Sequence, residues 1–370
     1  MKNFWAKLSK PFFCLAPMAN VTDAAFRRII AKYGKADVMF TEFVSADGLC
    51  HPKGREKLLI DLIYSESERP IVAQLFTAHP EKMEEAARLI QKLGFDGLDI
   101  NMGCPDRAVE KQGAGAMLMK NPKLAQEIIQ AAQTGAPKLP ISVKTRLGYY
   151  RDELDPPAGG WLSALLETDL AAITIHARTR KEMSKVPAHW EAITRAVKIR
   201  NDLKSQTLII GNGDVADLAE ARQRAEETSA DGIMLGRAIF GNPWLFANLA
   251  YVQHGSQIER PPKLLAKADE NQKAIACSRS ARGSRDQLPS GFPNLETRLR
   301  VLVEHTKLFE ELLGPAQGGS AFGGKNFAIM KKHFKAYVVG DKELCQELMR
   351  APNGVVVEQT IDKYLASMLS

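Results

Sequence analysis

The chain has 370 residues, 45% hydrophobic and 25% charged, with 50 Lys and Arg against 43 Asp and Glu. That size and balance suit one large domain with a full core plus a smaller one, and they exclude fibrous and low-complexity classes. The formal charge of +7 permits a phosphate-rich partner without requiring one.

In chain order, β-rich runs fall at 12–16, 37–42, 71–75, 97–101, 140–144, 172–176, 207–211 and 231–235. Stretches of helical period lie between them at 23–32, 80–93, 122–134, 162–167, 190–201 and 215–227. This alternation predicts parallel strands covered by helices, an α/β chain, and eight units with nothing left over favour a closed (β/α)8 TIM barrel over an open doubly wound sheet. After Asn242–Phe246 (NPWLF) the β-rich runs stop, and residues 268–294 are polar and rich in Arg, Ser and Gly. From Leu295 onward apolar residues such as Leu299, Leu302, Val303 and Phe309 recur at helical spacing, which predicts a small all-helical C-terminal domain. The expected organisation is a catalytic barrel over 1–250, a linker with a polar, disordered insertion over 251–294, and a helical domain over 295–370.

On these boundaries the polar residues gather at one end of the strands. Met18 follows the first strand, Glu42 ends the second, Gln74 lies late in the third, and Asn101, Lys144 and His176 end the next three. Asn212, Gly213 and Asp214 follow the seventh, Gly236 and Arg237 the eighth. In a barrel such positions ring the C-terminal mouth, where these folds carry their chemistry. Lys144, Arg146, His176 and Arg178 bring several donors to that opening, and the glycines after the last two strands suit a phosphate held by backbone N–H groups. Gln74 offers a heterocycle both a donor and an acceptor, or else serves as a buried hydrogen-bond partner; His176 is either a ligand-facing or a structural histidine.

Five cysteines (Cys14, Cys50, Cys104, Cys277 and Cys345) form no CxxC pair, and seven histidines show no ligand spacing. Neither a disulfide scaffold nor a metal site is expected. No apolar segment is long enough to cross a bilayer, and the first residues lack the apolar core of a secretory leader, so a cytoplasmic location without a membrane partner is expected. Cys104 stands apart in Asn101–Pro105 (NMGCP). Gly103 frees the backbone before it and Pro105 fixes the angle after it, so the thiol sits on a defined turn where it either packs or delivers a proton.

A set of ordered stretches resembles the flavin-dependent tRNA-dihydrouridine synthase family. They are Ala16–Asp23 (APMANVTD) with Phe26 and Arg27, Gln74–Leu75, Asn101–Pro105, Gly113–Met119 (GAGAMLM), Ser142–Gly148 (SVKTRLG), Ile175–Arg180 (IHARTR), Gly211–Asp214 (GNGD) and Gly232–Arg237 (GIMLGR), followed by Gly241–Phe246. The resemblance implies an FMN-containing barrel and a helical tRNA-binding domain that together reduce the C5–C6 double bond of D-loop uridines. NADPH or NADH would reduce the flavin, hydride would pass from flavin N5 to C6, and Cys104 would protonate C5. By the same resemblance FMN would lie among Pro17, Met18, Gln74, Lys144, His176, Asn212, Gly213, Asp214, Gly236 and Arg237, and the base would meet Asn101, Lys144 and Arg178.

Lys331–His333 (KKH) with Tyr337 is similar to the family's short basic-aromatic helix motif. Arg107, Lys111, Arg180, Lys331, Lys332 and Lys335, with Arg27, are candidates for contacts to the RNA backbone. No obligate protein partner is expected. Ala177 replaces a glycine common in the family, and the 268–294 insertion has no counterpart in the resemblance. A flavin reductase of free pyrimidines would share the barrel but would not need the basic helical region, and an RNA-binding module without catalysis would not need Cys104, Lys144 and His176 together.

Overall fold

The computed structural model describes residues 3–154, 160–247, 293–315 and 324–368. Its strands are β1 (Phe12–Leu15), β2 (Met39–Ser45), β3 (Ile71–Phe76), β4 (Gly97–Asn101), β5 (Ile141–Arg146), β6 (Ala172–His176), β7 (Leu208–Asn212) and β8 (Gly232–Leu235). All pair in parallel, in the order β1-β8-β7-β6-β5-β4-β3-β2. The seam between β1 and β2 is closed by a parallel bridge from Cys14 to Val38; the Leu15 N–H donates to the Val38 carbonyl and the Asp37 N–H to the Phe13 carbonyl, each at 3.0 Å. The result is the expected (β/α)8 barrel.

Local chemistry explains the elements. The strands are nearly continuous apolar runs because helices cover one face and the barrel interior takes the other. Between them, helices bury a single stripe: in Pro80–Lys92, Met83, Ala86, Ala87 and Ile90 face the sheet. Asp23 caps the helix Ala24–Tyr33 by accepting from the Phe26 N–H at 3.0 Å, and Pro80 and Pro122 open their helices where no N–H is missed.

Two strands run further than their pattern suggests. Glu42 and Lys144 are expected at strand ends but lie inside β2 and β5, which continue to Ser45 and Arg146. The pairing of β2 with β3 shifts register between Phe40 and Phe43. At this irregularity Thr41 Oγ1 takes the Gln74 N–H at 3.1 Å, and Glu42 turns toward the loop after β1.

At the opposite end of the barrel, the short helix Phe4–Lys7 inserts Trp5 against Phe12 and Phe40. After the barrel come helices Leu295–Leu313, Lys331–Tyr337, Lys342–Arg350 and Gly354–Ser367. The expected linker over 251–294 lies outside the described residues except for its last two, of which Asn294 caps the first of these helices by accepting from the Thr297 N–H at 2.9 Å. The C-terminal helices pack directly on Ala24–Tyr33. Phe26 stacks on His305 at 4.9 Å and meets His333 edge-on at 4.6 Å, while Lys32 and Tyr33 both reach Glu304 at 2.6 Å. One apolar core runs through the barrel and these helices. No described helix is long and apolar enough to cross a membrane.

Candidate active site

At the C-terminal mouth a cavity of about 220 Å³ is lined by Pro17 and Met18 from the loop after β1, Lys144 and Arg146 from β5, His176 from β6, Asn212 at the end of β7 with Gly213, Asp214 and Val215 after it, and Gly236 and Arg237 after β8. Of the ten residues expected around a cofactor, all except Gln74 line it. The donor set is cationic, and its one carboxylate, Asp214, is already held by Arg178 and Arg237. Such a lining suits a phosphate-bearing ligand. Gly213 has φ 138° and a Cβ there would lie 2.9 Å from Ala188, so only glycine brings the backbone to this part of the wall.

Burial sets the protonation of the wall. It pulls Lys144 down to about 8, with Arg146 adding to the shift and Asp99 opposing it. Arg146, also buried, is pulled down to about 10; its guanidinium donates to the carbonyls of Gly103 at 2.9 Å, Thr179 at 3.2 Å and Met183 at 3.1 Å. Burial, reinforced by Arg146, Lys144, Arg178 and Arg237, holds His176 well below the usual imidazole range, so it is neutral at pH 7. Its Nε2 lies 3.3 Å from Arg178 Nη1. A guanidinium only donates, so Nε2 accepts and the ring proton resides on Nδ1.

The turn carrying Cys104 is built from behind. Asn101 Oδ1 accepts the N–H groups of Cys104 at 2.9 Å and Gly103 at 3.2 Å, and the Cys104 carbonyl accepts the Ala116 N–H at 3.0 Å. A Cβ on Gly115, whose φ is 61°, would approach that carbonyl to 2.8 Å, which explains the glycine. Arg146 ties the turn to the cavity wall through the Gly103 carbonyl. Burial pushes the Cys104 thiol up, against the pull of the Asp106 N–H, Lys144 and Arg146, so the sulfur keeps its proton at neutral pH.

Three residues expected to face ligands also make hydrogen bonds within the protein. Gln74 is fully buried; its Nε2 donates to Asp99 Oδ2 at 2.7 Å and its Oε1 accepts from Asn101 Nδ2 at 3.1 Å. Asn101 thereby joins Gln74 to the Cys104 turn. Arg178 is almost fully buried, donating to the Val186 carbonyl at 2.6 Å and to Asp214, and so backs His176 from outside the cavity. Asp99, inside β4, was not singled out by its sequence setting, although an acid in the apolar run Gly97–Asn101 (GLDIN) is the available signal. Burial raises it to about 6 while Ser142, Gln74 and Lys144 oppose the shift.

Among the basic candidates for RNA contacts, Arg107, Lys111, Lys332 and Lys335 are exposed and Lys331 is half-buried. Arg180 is paired with Glu110. Arg27 is a correction: it is fully buried, bonded to Glu68 at 2.6 Å and to the carbonyls of Thr22 at 2.8 Å and Ile63 at 2.5 Å, so it braces the core and does not face solvent. Periodicity also missed Lys325. Nearly buried, it joins the C-terminal region to Glu42 and Asp61, and Glu42 in turn accepts the N–H of Asn20, a residue with φ 55° just beyond Met18. Burial alone would lower its pKa, but Glu42, Asp61 and Asp23 outweigh that and hold it up. Among the described residues no group of three or more His, Cys, Asp and Glu side chains is placed to hold a metal ion.

The sequence matches the dihydrouridine synthase (Dus) family over residues 14–314. A probable tRNA-dihydrouridine synthase of Staphylococcus aureus (strain COL) is 46% identical over 245 residues, covering 66% of this chain and 73% of the relative. Probable tRNA-dihydrouridine synthase 2 of Bacillus subtilis (strain 168) is likewise 46% identical over 245 residues, covering 66% and 74%. Among solved structures, histamine dehydrogenase from Rhizobium sp. 4-9 aligns with a TM-score of 0.47 at 13% identity, over 66% of this chain and 46% of that one.

Proposed function

The chain belongs to the dihydrouridine synthase family, and on that premise we propose that its barrel mouth binds FMN and reduces the C5–C6 double bond of a D-loop uridine in tRNA, using NADPH or NADH as reductant. It is an oxidoreductase, and its reaction is the reduction of uridine in tRNA. The observation that carries the finer reading is the Asn101–Pro105 turn, which presents a protonated thiol beside a wall of buried cations.

Lys144, Arg146, His176 and Arg237, with the backbone at Gly213 and Gly236, fit an anionic, phosphate-bearing cofactor by the chemistry of their donors. Bound there, FMN supplies the hydride that uracil takes at C6, chemistry no side chain can perform. Cys104 gives its proton to C5. Lys144, mostly protonated at pH 7, and Arg146 favour the thiolate that remains and the negative charge that gathers on the uracil ring. Solvent then returns a proton to Cys104. His176, neutral with Nδ1 protonated, orients a ligand as a donor and exchanges no proton in the step. Gln74 acts through Asn101, holding the thiol turn in place.

The uridine has to leave its stack to reach the mouth. Arg107, Lys111, Lys332 and Lys335 are the proposed contacts to phosphates around it, and the region after Leu295 is the proposed tRNA-binding part. The test is anaerobic: reduce the flavin of the purified holoenzyme with NADPH, add tRNA lacking dihydrouridine, follow flavin absorbance and analyse the nucleosides. Reoxidation coupled to new dihydrouridine is expected. Reoxidation by free uracil but not by tRNA would transfer the assignment to a small-molecule reductase.

A further inference from the structure

Just beyond β5, on the rim of the mouth, Tyr149 and Tyr150 meet edge to face with ring centroids 4.7 Å apart. Tyr149 is 8% exposed and belongs to the core, whereas Tyr150 is 61% exposed. An aromatic ring this open gains little from packing, yet its position is fixed. Lys120 Nζ donates to Tyr150 Oη at 3.2 Å and lies over both rings, 3.8 Å from the Tyr149 centroid and 4.8 Å from that of Tyr150. The ring is therefore held in place before any partner arrives, which lowers the cost of stacking on it.

The surroundings hold exposed lysines as well as a carboxylate, Glu153, that accepts the Tyr149 N–H at 2.9 Å. Lys120 and Lys181 are exposed, and the Lys181 N–H donates to the Tyr149 carbonyl at 2.9 Å. Arg180, 5.3 Å from the Tyr149 ring, connects the patch through Glu110 to the short helix that carries Arg107. Both supports of the rings also lead to Cys104. Lys120 ends the short helix Gly115–Lys120, whose first residue abuts the Cys104 carbonyl, so roughly 10 Å of helix separates them. Tyr149 follows Arg146, which holds the turn of the thiol through the Gly103 carbonyl.

We propose that Tyr150, backed by Tyr149 and clamped by Lys120, is a stacking platform for an unpaired tRNA base adjacent to the uridine that enters the mouth. This rests on the reading of the mouth as a tRNA site. Extruding one nucleotide deprives its neighbour of a stacking partner, and an exposed ring beside a lysine supplies a replacement together with a counter-charge for the phosphate. The exposed ammonium groups of Lys120 and Lys181 favour a nucleic acid over an apolar or cationic protein partner.

The experiment measures the affinity of the holoenzyme for tRNA lacking dihydrouridine at several salt concentrations, with NADPH-driven flavin reduction in the absence of tRNA as the control. Y150A should weaken tRNA binding about tenfold without altering the salt slope or flavin reduction, because stacking releases no counterions. Y150F and Y150W should stay within about twofold of the parent. K120M should weaken binding and reduce the salt slope by about one. Unchanged affinity in Y150A would overturn the platform, as would a loss in Y150F equal to that in Y150A, since the hydroxyl rather than the ring would then be the contact. A parent enzyme that neither binds tRNA nor makes dihydrouridine would instead overturn the functional reading, and that outcome appears before any variant is compared.

Discussion

The mouth of the barrel and the junction with the C-terminal helices both bury histidines, under different conditions. His176 lines a cavity, takes a hydrogen bond from Arg178 and stands among four cations that help keep it neutral. His305 and His333 are sealed against Phe26 and each other, and neither ring nitrogen of either residue has a hydrogen-bond partner among the described residues. Burial lowers the pKa in all three. A depressed imidazole therefore does not by itself identify a working site; what separates the regions is that the imidazole at the mouth faces polar groups and a cavity, while the two at the junction face rings.

The contrast is broken most directly at Cys104. C104A should bind FMN and tRNA normally yet slow reoxidation of reduced flavin by tRNA about 10²–10⁴-fold, as expected for loss of a general acid. Rapid-mixing absorbance under nitrogen measures this, and an unchanged rate would return Cys104 to packing.

At the junction, K325M should cost about 3–5 kcal/mol, because it leaves the buried Glu42 and the half-buried Asp61 without their cation. Denaturant unfolding measures the loss, and hydrogen exchange should rise at the Asn20 amide that Glu42 holds. An Asn20 amide as protected as in the parent would show that the junction and the cofactor loop are independent.

Back at the mouth, K144M should lower turnover about 10²-fold. Lys144 carries its charge below about pH 8 and loses it as pH rises through that value, so turnover of the parent should decline there and the variant should lack that limb. An identical alkaline decline in K144M would assign the limb to another group.

The smallest effect at neutral pH is expected from H333L, which exchanges an unpartnered imidazole for a hydrocarbon and should shift stability by less than about 1 kcal/mol at pH 7. Folding holds His333 down at about 3, through burial and the neighbouring Lys332 charge, whereas the unfolded chain takes up the proton near its ordinary value. Its contribution is thus complete above about pH 6.5 and is lost as pH falls toward 3. Between pH 7 and pH 5 the parent should lose about 2 kcal/mol more than H333L. Equal losses would show that His333 titrates alike in both states.

The same junction bears on any attempt to separate the two parts of the chain. Phe26 of the barrel is covered by His305 and His333, and Lys32 and Tyr33 are bonded to Glu304, so deleting 295–370 strips the barrel of packing as well as of its proposed RNA contacts. Point changes at exposed Lys332 and Lys335 are the cleaner probe of tRNA binding.

Much of this architecture was legible from local pattern. Apolar spacing alone located all eight strands, and strand-end logic placed Met18, His176, Asn212, Gly213, Asp214, Gly236 and Arg237 at one mouth, because which residues a strand or helix buries is a property of a few neighbours. Pattern missed the strand ends at Glu42 and Lys144, since alternation does not mark where a strand stops, and it did not reveal the hydrogen bonds within the protein of Gln74, Asn101 and Arg178, whose residue types suit a ligand as well as they suit one another.

Pairings across the chain were decided by the tertiary structure alone. Arg27 reads as one more surface cation until the fold sets Glu68 against it, and Lys325 reads as a loop lysine until packing brings it to Glu42, 283 residues earlier in the chain. A charge is drawn inward only where a distant counter-charge meets it in the same buried volume, and that meeting depends on strand register and helix docking, which no window of sequence contains.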